Sequence, residues 1–248
     1  MPIWNPIADA PTGAADKPAG PVIVAQDADG RVAKTRFVRH PVKGDEWIMQ
    51  EEDGAVLAWD PIVWVPAYLP MPELPQGAVV AHTEYNVDWL PQPNQVELVL
   101  TDVEAPEDLT RTAFMVPYTD TWAVVLAHHT QRGVEMAGGH IEPRETMLDA
   151  ALRELREETG VEDVIDHEPL GFLRMFCSGR PPEGVYAYPF PLSYQQIYTG
   201  RAKSLGAFEP TEECHEPVVI GHMADPRVTR ETVRVYGAAA RNRAKEMI

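Results

Sequence analysis

The segment from residue 147 to residue 161 constrains the fold most strongly, because it has the pattern of a short amphipathic helix with a defined end. At about 100° per residue, its apolar side chains fall on one stripe, which indicates a face packed against a core. That stripe contains Leu148, Ala151, Leu152 and Leu155. Gly160 stands where helices commonly end in a left-handed residue. The sequence therefore predicts a helix over roughly residues 147–159.

The same segment carries acidic side chains along one edge of the predicted helix. Glu154, Glu157 and Glu158 fall within an arc of about 100°, whose centre lies about 120° from the apolar stripe. Like charges at this spacing repel by roughly a few tenths of a kcal/mol per pair, and the helix dipole opposes them near the C-terminus. The helix alone leaves two explanations open: an acidic face neutralised by Arg153 and Arg156, or a bound divalent cation.

Short β-branched or aromatic runs before and after this helix predict strands. The runs lie at residues 111–116, 122–127, 170–176 and 195–199. A last helix is predicted over about residues 230–247. The chain from residue 96 onward is therefore expected to contain a sheet and at least these helices.

The N-terminal part has a different pattern. Residues 1–20 are rich in proline, alanine and glycine, which favours an irregular arm. Runs separated by Asp-Gly pairs predict strands joined by tight turns. These runs lie at residues 22–25, 35–38 and 56–59. Proline-dense residues 66–75 favour a connection. We therefore expect a small β-rich region over residues 1–95 and a second domain over residues 96–248.

Charge and hydropathy limit the partners of the chain. Its 38 acidic and 21 basic residues give a net charge of -17, so its field repels nucleic-acid polymers and anionic membrane surfaces. A phosphate substrate is still compatible, because a divalent cation held by clustered carboxylates reverses the local sign. The sequence has no signal-peptide pattern and no long apolar run. A cytoplasmic protein that acts on a small molecule is therefore expected.

Cysteines and histidines show no metal-ligand spacing. Cys177 and Cys214 are too few for a disulfide framework and are predicted to be thiols. The histidines are scattered, which predicts surface or core positions rather than ligand positions. They include His128, His129, His140, His215 and His222.

The spacing around the helix resembles one specific family. Every position of the motif that defines Nudix hydrolases is present in order: Gly139, Glu145, Arg153, Glu154, Leu155, Glu157, Glu158, Gly160 and Val161. A chance match at all of these positions has a probability on the order of one in a billion per starting point. Ala137 and Arg144 stand where many relatives have proline and glycine, but neither is a required position. The resemblance extends to about residues 97–248 and leaves the N-terminal third uncovered.

This resemblance implies an α/β/α sandwich with a mixed sheet, in which the helix and its flanking loops form a site for Mg²⁺ or Mn²⁺. The implied ligands are Glu154, Glu157, Glu158 and the carbonyl of Gly138. Arg153 is implied to orient the carboxylates, and Glu145 either acts from the loop before the helix or pairs with Arg153. The implied reaction is hydrolysis of a diphosphate linkage in a nucleoside diphosphate joined to another group.

The sequence leaves open which glutamate accepts the proton of the attacking water. Glu154 and Glu157 of the helix compete with a later acidic cluster, which contains Glu212, Glu213 and Glu216. From that cluster we include Glu213 among the expected catalytic residues. The other explanation of the later cluster is a solvated acidic loop.

Function and specificity also have alternatives. A non-catalytic nucleotide-sensing module is the alternative to an enzyme, although no glutamate of the motif is missing. An aromatic group is predicted either to line a pocket for a base or to pack in the core. It contains Tyr186, Tyr188, Phe190 and Tyr194. For residues 1–95, a homodimer interface and a lid over the substrate pocket both remain open.

Overall fold

The protein divides into two compact units in a computed structural model. The first contains Met1–Glu73, Glu84–Gln95 and Phe176–Tyr186, and the second contains Leu74–Thr83, Val96–Met175 and Ala187–Ile248. The structure describes residues 71–85, 87–91, 94–177 and 187–246, together with strands at 5–6, 23–26, 32–40, 44–49 and 63–66. The predicted strand at residues 56–59, most of the predicted arm and Tyr186 lie outside the described residues.

A five-stranded sheet is described in the first unit. Its strands are β1 (Asn5–Pro6), β2 (Ile23–Gln26), β3 (Val32–His40), β4 (Gly44–Met49) and β5 (Val63–Pro66). Their order is β1-β5-β2-β3-β4, and each neighbouring pair is antiparallel. Strands therefore occur where the runs at residues 22–25 and 35–38 predicted them.

A second, larger sheet contains nine strands among the described residues. These are β6 (Val79–Tyr85), β7 (Asn94–Leu100), β8 (Thr110–Tyr118), β9 (Val124–His129), β10 (Gly133–Glu135), β11 (Ala137–His140), β12 (Val164–Cys177), β13 (Leu192–Ala202) and β14 (Cys214–Ile220). The main order is β10-β9-β8-β13-β12-β7-β6, with β11 paired to β8 and β14 to β9. Strands β8 and β13 are parallel, whereas β9 and β14 are antiparallel. The predicted α/β class with a mixed sheet is confirmed.

Helix α1 (Met147–Thr159) has the bounds that the apolar period predicted. Thr146 begins it through a capping box, in which Thr146 and Asp149 exchange hydrogen bonds between side chain and backbone. Gly160 ends it in the left-handed conformation, with φ of 69°. Both ends of the helix are therefore fixed by neighbouring residues. These fixed ends determine where the glutamates of α1 lie along the sheet.

The apolar face of α1 packs on the larger sheet. Its buried residues join side chains from β8, β9, β11 and β13 in one core cluster. The cluster includes Ala113, Met115, Val125, Ala127, Ala137, Ala150, Ala151, Leu155 and Tyr198. Because the acidic edge adjoins this buried face, the glutamates lie beside β9 and β11.

Helix α2 (Glu231–Glu246) forms where a last helix was predicted. Its Tyr236 is fully buried, and the hydroxyl donates to the carbonyl oxygens of Phe172 at 2.7 Å and Val99 at 3.3 Å. This residue attaches the helix to β12 and β7. Within the parts of the chain that the structure describes, no helix is long and apolar enough to cross a bilayer.

Two local features differ from the sequence prediction. Strand β9 begins at Val124 rather than at Trp122, because Trp122 has a positive φ of 62° in the turn that precedes it. The acidic segment 209–216, which had a solvated loop as one explanation, leads directly into strand β14. There, Cys214 is paired with His129 of β9.

Candidate metal and catalytic site

Two glycines allow strand β11 to pass close to both β8 and α1. A Cβ atom at Gly138 would lie 2.5 Å from the backbone oxygen of Ala113 and closer still to the ring of Phe114. A Cβ atom at Gly139 would lie 2.3 Å from Oε1 of Glu154. The absence of side chains at these positions therefore makes room for the Glu154 carboxylate.

Arg153 joins the acidic residues of the loop and the helix. Its Nε donates to Oε1 of Glu145 at 2.8 Å, and its Nη1 donates to Oε1 of Glu154 at 2.9 Å and to Oε2 of Glu157 at 3.3 Å. Its Nη2 donates to the carbonyl oxygen of His140 at 3.0 Å. The hydrogen bond that Arg153 donates to Glu145, followed by the one it donates to Glu154, raises the pKa of Arg153. One guanidinium thus fixes carboxylates that would otherwise repel one another.

Glu145 lies in the loop before α1, outside the helix. Its hydrogen bond from Arg153, and a second from the backbone N–H of Glu142, lower the pKa of this carboxyl group. The contact with Arg153 corresponds to the expected alternative in which Glu145 is a partner of that arginine. Glu145 bonds to Nε of Arg153, whereas Glu154 and Glu157 bond to Nη1 of the same guanidinium.

Glu158 is the most enclosed of the helix glutamates, with a side chain that is 12% exposed. The backbone N–H of Gly138 donates to its Oε2 at 2.9 Å, and Nε2 of His129 lies 3.0 Å from its Oε1. Burial raises the pKa of Glu158 to about 7, and the nearby charges of Glu154 and Glu213 act in the same direction. The charged form of this carboxylate is therefore disfavoured unless positive charge is added.

Glu157 and Glu213 are the exposed carboxylates of this region. The side chain of Glu157 is 59% exposed, and only Arg153 is close enough to form an ion pair with it among the described residues. Glu213 is exposed at the start of β14, where its carbonyl oxygen accepts from the backbone N–H of Thr130 at 2.9 Å. Glu212 and Glu216 are exposed as well. Glu213 precedes Cys214, which pairs with His129, and His129 contacts Glu158, so Glu213 lies on the side of the site formed by β9 and β14.

The structure also brings two residues to this site that the sequence did not indicate. His129 is 5% exposed and Cys214 is 2% exposed, and Nδ1 of His129 lies 3.5 Å from Sγ of Cys214. Burial lowers the pKa of His129 and raises the pKa of the Cys214 thiol to about 11. Neither cysteine forms a disulfide, as predicted. His129 and Cys214 come together because β14 pairs with β9, and the spacing of residues in the sequence does not reveal that pairing.

Tyr194 and Tyr188 lie in different surroundings. Tyr194 is buried and packs edge-to-face on Phe172, with ring centroids 5.3 Å apart, so it belongs to the core. Tyr188 is partly exposed, and its ring centroid lies 6.0 Å from that of His140, whose carbonyl accepts from Arg153. Tyr188 is therefore the aromatic residue placed beside the acidic edge.

A family model agrees with the motif. Residues 108–220 match the family model described as NUDIX domain. A search of curated proteins found no match to the chain. Among solved structures, the chain is similar to the pyrophosphohydrolase BsRppH of Bacillus subtilis, with 21% identity, a TM-score of 0.47, and coverage of 62% of this chain and 92% of that one. It is also similar to an Ap4A hydrolase of C. elegans, with 14% identity, a TM-score of 0.40, and coverage of 56% and 98%.

The matched region contains the paired glycines, the whole of α1 and its capping residues, and the strands that support them. Residues 108–220 therefore form a Nudix domain, and the glycines and glutamates of the motif lie within it.

Proposed function

We propose that this protein hydrolyses a diphosphate linkage in a nucleoside diphosphate joined to another group, with Mg²⁺ or Mn²⁺ bound at the acidic edge of α1. The observation that carries the proposal is the convergence of carboxylates on Gly138 and Gly139 of strand β11. Glu158 bonds to the N–H of Gly138, and Glu154 occupies the space beside Gly139. The proposed ligands are Glu154, Glu157, Glu158 and the carbonyl of Gly138.

The residues fit a hard divalent cation. Mg²⁺ and Mn²⁺ prefer carboxylate and carbonyl oxygens, and the site supplies both. Burial and the neighbouring carboxylates raise the pKa of Glu158 to about 7, so the folded protein holds this group at an energetic cost that a cation offsets. Arg153 does not remove that cost, because it forms its ion pairs with Glu145, Glu154 and Glu157.

When bound, the cation supplies positive charge that makes water a better nucleophile and stabilises the leaving phosphate. The protein's own residues supply the geometry. Arg153 holds Glu154 and Glu157 in fixed positions, and Gly139 leaves room for the Glu154 carboxylate beside strand β11. Tyr188 offers an aromatic face near the site for the base of a nucleoside.

The base that accepts the proton from water is proposed among Glu154, Glu157 and Glu213. Glu157 and Glu213 are the better placed of these, because both are exposed and solvent can reach them. Glu154 is 17% exposed and is bonded to Arg153, which favours a role as a ligand. Substitution of Glu157 and Glu213 by glutamine, one at a time, separates their contributions.

The experiment is a substrate panel assayed with Mg²⁺, with Mn²⁺ and with a chelator. It contains dinucleoside polyphosphates, nucleotide sugars, ADP-ribose, NADH and nucleoside triphosphates, and the readout is released phosphate or monophosphate. We expect turnover of at least one diphosphate-linked nucleotide that disappears with the chelator. Glu157→Gln should abolish turnover with an unchanged unfolding temperature, whereas Glu162→Gln, an exposed glutamate just after α1, should leave turnover unchanged.

A different outcome would favour the nucleotide-sensing alternative. If no member of the panel is cleaved with either metal, but one of them raises the unfolding temperature, the domain binds without hydrolysis. If Glu157→Gln retains full activity, Glu157 is neither the base nor an essential ligand. Retained activity in Glu213→Gln would remove Glu213 from the mechanism in the same way.

A further inference from the structure

A mixed cluster of nitrogen, sulfur and oxygen donors lies on the inner side of Glu158. Among the described residues, His129, Cys214 and Glu158 each offer one donor atom, and these atoms all lie within 4.8 Å of one another. All three side chains are buried or nearly so. The motif accounts for Glu158 only, so the histidine and the cysteine have no role in the proposed hydrolysis.

One contact in this cluster has the spacing of zinc ligands, and the other is shorter. Zn²⁺ binds thiolate, imidazole and carboxylate groups with bonds of about 2.0–2.3 Å, so tetrahedral neighbours stand about 3.4–3.6 Å apart. Sγ of Cys214 lies 3.5 Å from Nδ1 of His129, and Oε1 of Glu158 lies 3.0 Å from Nε2. The two contacts use different ring nitrogens, so the imidazole has to tilt to offer one nitrogen to a shared ion.

The backbone around the cluster is well determined by hydrogen bonding. His129 ends β9 and Cys214 begins β14, and these two residues are direct partners in the antiparallel pair. The N–H of Thr130 donates to the carbonyl of Glu213 at 2.9 Å, which fixes the strands beside one another. Glu158 is held by the N–H of Gly138 on its other oxygen. Three separate elements thus deliver the donors to one point.

A positive group already lies against this cluster. Nη2 of Arg132 is 2.9 Å from Nε2 and 3.0 Å from Nδ1 of His129. Arg132 is exposed, so its side chain can turn into solvent when another cation arrives. Its charge opposes a second cation beside His129, so removal of this charge should strengthen metal binding.

We propose that His129, Cys214 and Glu158 form a binding site for Zn²⁺ or a similar thiophilic divalent cation. On binding, the S–H bond of Cys214 breaks, a sulfur–zinc bond forms, the proton leaves to solvent, and no group is oxidised or reduced. Because Glu158 is also a proposed ligand of the catalytic cation, the two ions compete for one carboxylate. Zinc is therefore an inhibitor of the proposed hydrolase, and this consequence alone depends on the proposed function.

The direct test is spectroscopic and needs no activity. The full chain, reduced and stripped of metal, is titrated with Cd²⁺, whose bond to a thiolate gives an ultraviolet charge-transfer band. The matched variants are Cys214→Ser and Cys177→Ser, since these are the two cysteines of the chain and both are buried. We expect one equivalent of the band in the wild type and in Cys177→Ser, and none in Cys214→Ser. Cys214→Ala, which puts no hydroxyl into the buried position, should repeat the result.

Zinc affinity is then measured by competition with a coloured chelator. His129→Gln should weaken zinc binding by about 100-fold or more, since loss of an outer-shell partner alone typically costs 10–100-fold. Arg132→Gln should tighten it. In the hydrolysis assay with excess Mg²⁺, micromolar Zn²⁺ should inhibit the wild type and Cys177→Ser but not Cys214→Ser.

Two results would overturn the zinc site. One is a wild-type protein with no thiolate band at stoichiometric Cd²⁺. The other is a band that survives in Cys214→Ser and disappears in Cys177→Ser. If the thiolate band is clear but the protein cleaves none of the nucleotide panel, the zinc site is supported and the proposed hydrolysis is not. Failure of the zinc site and failure of the proposed function are therefore distinguishable.

Discussion

A methyl group added at Gly139 should remove activity while leaving the protein folded. The Cβ atom of Gly139→Ala would lie 2.3 Å from Oε1 and 2.6 Å from Cδ of Glu154. An ordinary contact begins at 3.4 Å, so the carboxylate has to move by about 1.1 Å. Misplacement of a catalytic group by about 1 Å costs on the order of 100-fold in rate. We therefore expect kcat/KM to fall by about 100-fold.

The stability of the same variant should change little. The atom in the way is the end of a flexible side chain, and the φ of Gly139 is not in the left-handed region, so alanine fits the backbone. Gly138→Ala provides the contrast, because its Cβ atom would meet the backbone oxygen of Ala113 at 2.5 Å. Such overpacking costs about 1–3 kcal/mol of unfolding free energy. Gly221→Ala, with no atom within 4 Å of the added Cβ, is the neutral control.

The assay pairs steady-state kinetics with chemical denaturation of all three variants. Gly139→Ala should combine low activity with wild-type stability, and Gly138→Ala should lose stability. Wild-type kcat/KM in Gly139→Ala would refute the reasoning, because Glu154 would then work equally well when displaced.

Three further substitutions test the supports of the site. Thr146→Ala removes the hydroxyl that accepts from the backbone N–H of Asp149 and donates to its carboxylate, and should cost about 1 kcal/mol of unfolding free energy, measured by urea denaturation. Tyr236→Phe removes the buried hydroxyl that donates to Phe172 and Val99, and should cost about 1 kcal/mol in the same assay with activity retained. Arg153→Lys keeps the charge but loses the forked contacts to Glu145 and Glu154, so kcat/KM should fall by about 10–100-fold; an unchanged rate would show that charge alone suffices.

Local patterns were sufficient to predict the helix and its acidic edge. The apolar period of Leu148, Ala151, Leu152 and Leu155 and the glycine at 160 gave the bounds of α1, because helix ends depend on neighbouring residues. Runs of apolar residues likewise located β8, β12 and β13 within a few residues. The residues that determine these helix and strand positions are all close together in the sequence.

The residues that surround Glu158 could not be predicted in the same way. His129 and Cys214 are separated by 85 positions, and only the pairing of β9 with β14 brings them together. A solvated loop was one explanation of the acidic residues around position 213, but strand β14 begins at Cys214, where β9 offers a partner. Long-range pairing thus determines which side chains share the site.

Cation binding by the acidic edge of α1 can be measured directly by titrating the protein with Mn²⁺ and recording the paramagnetic resonance signal of the free ion. We predict saturable binding in the wild type and in Glu162→Gln, and binding weakened by about 10-fold or more in Glu154→Gln and Glu158→Gln, because each removes one charged ligand. Equal Mn²⁺ affinity in all four proteins would contradict the assignment of these glutamates as the metal site.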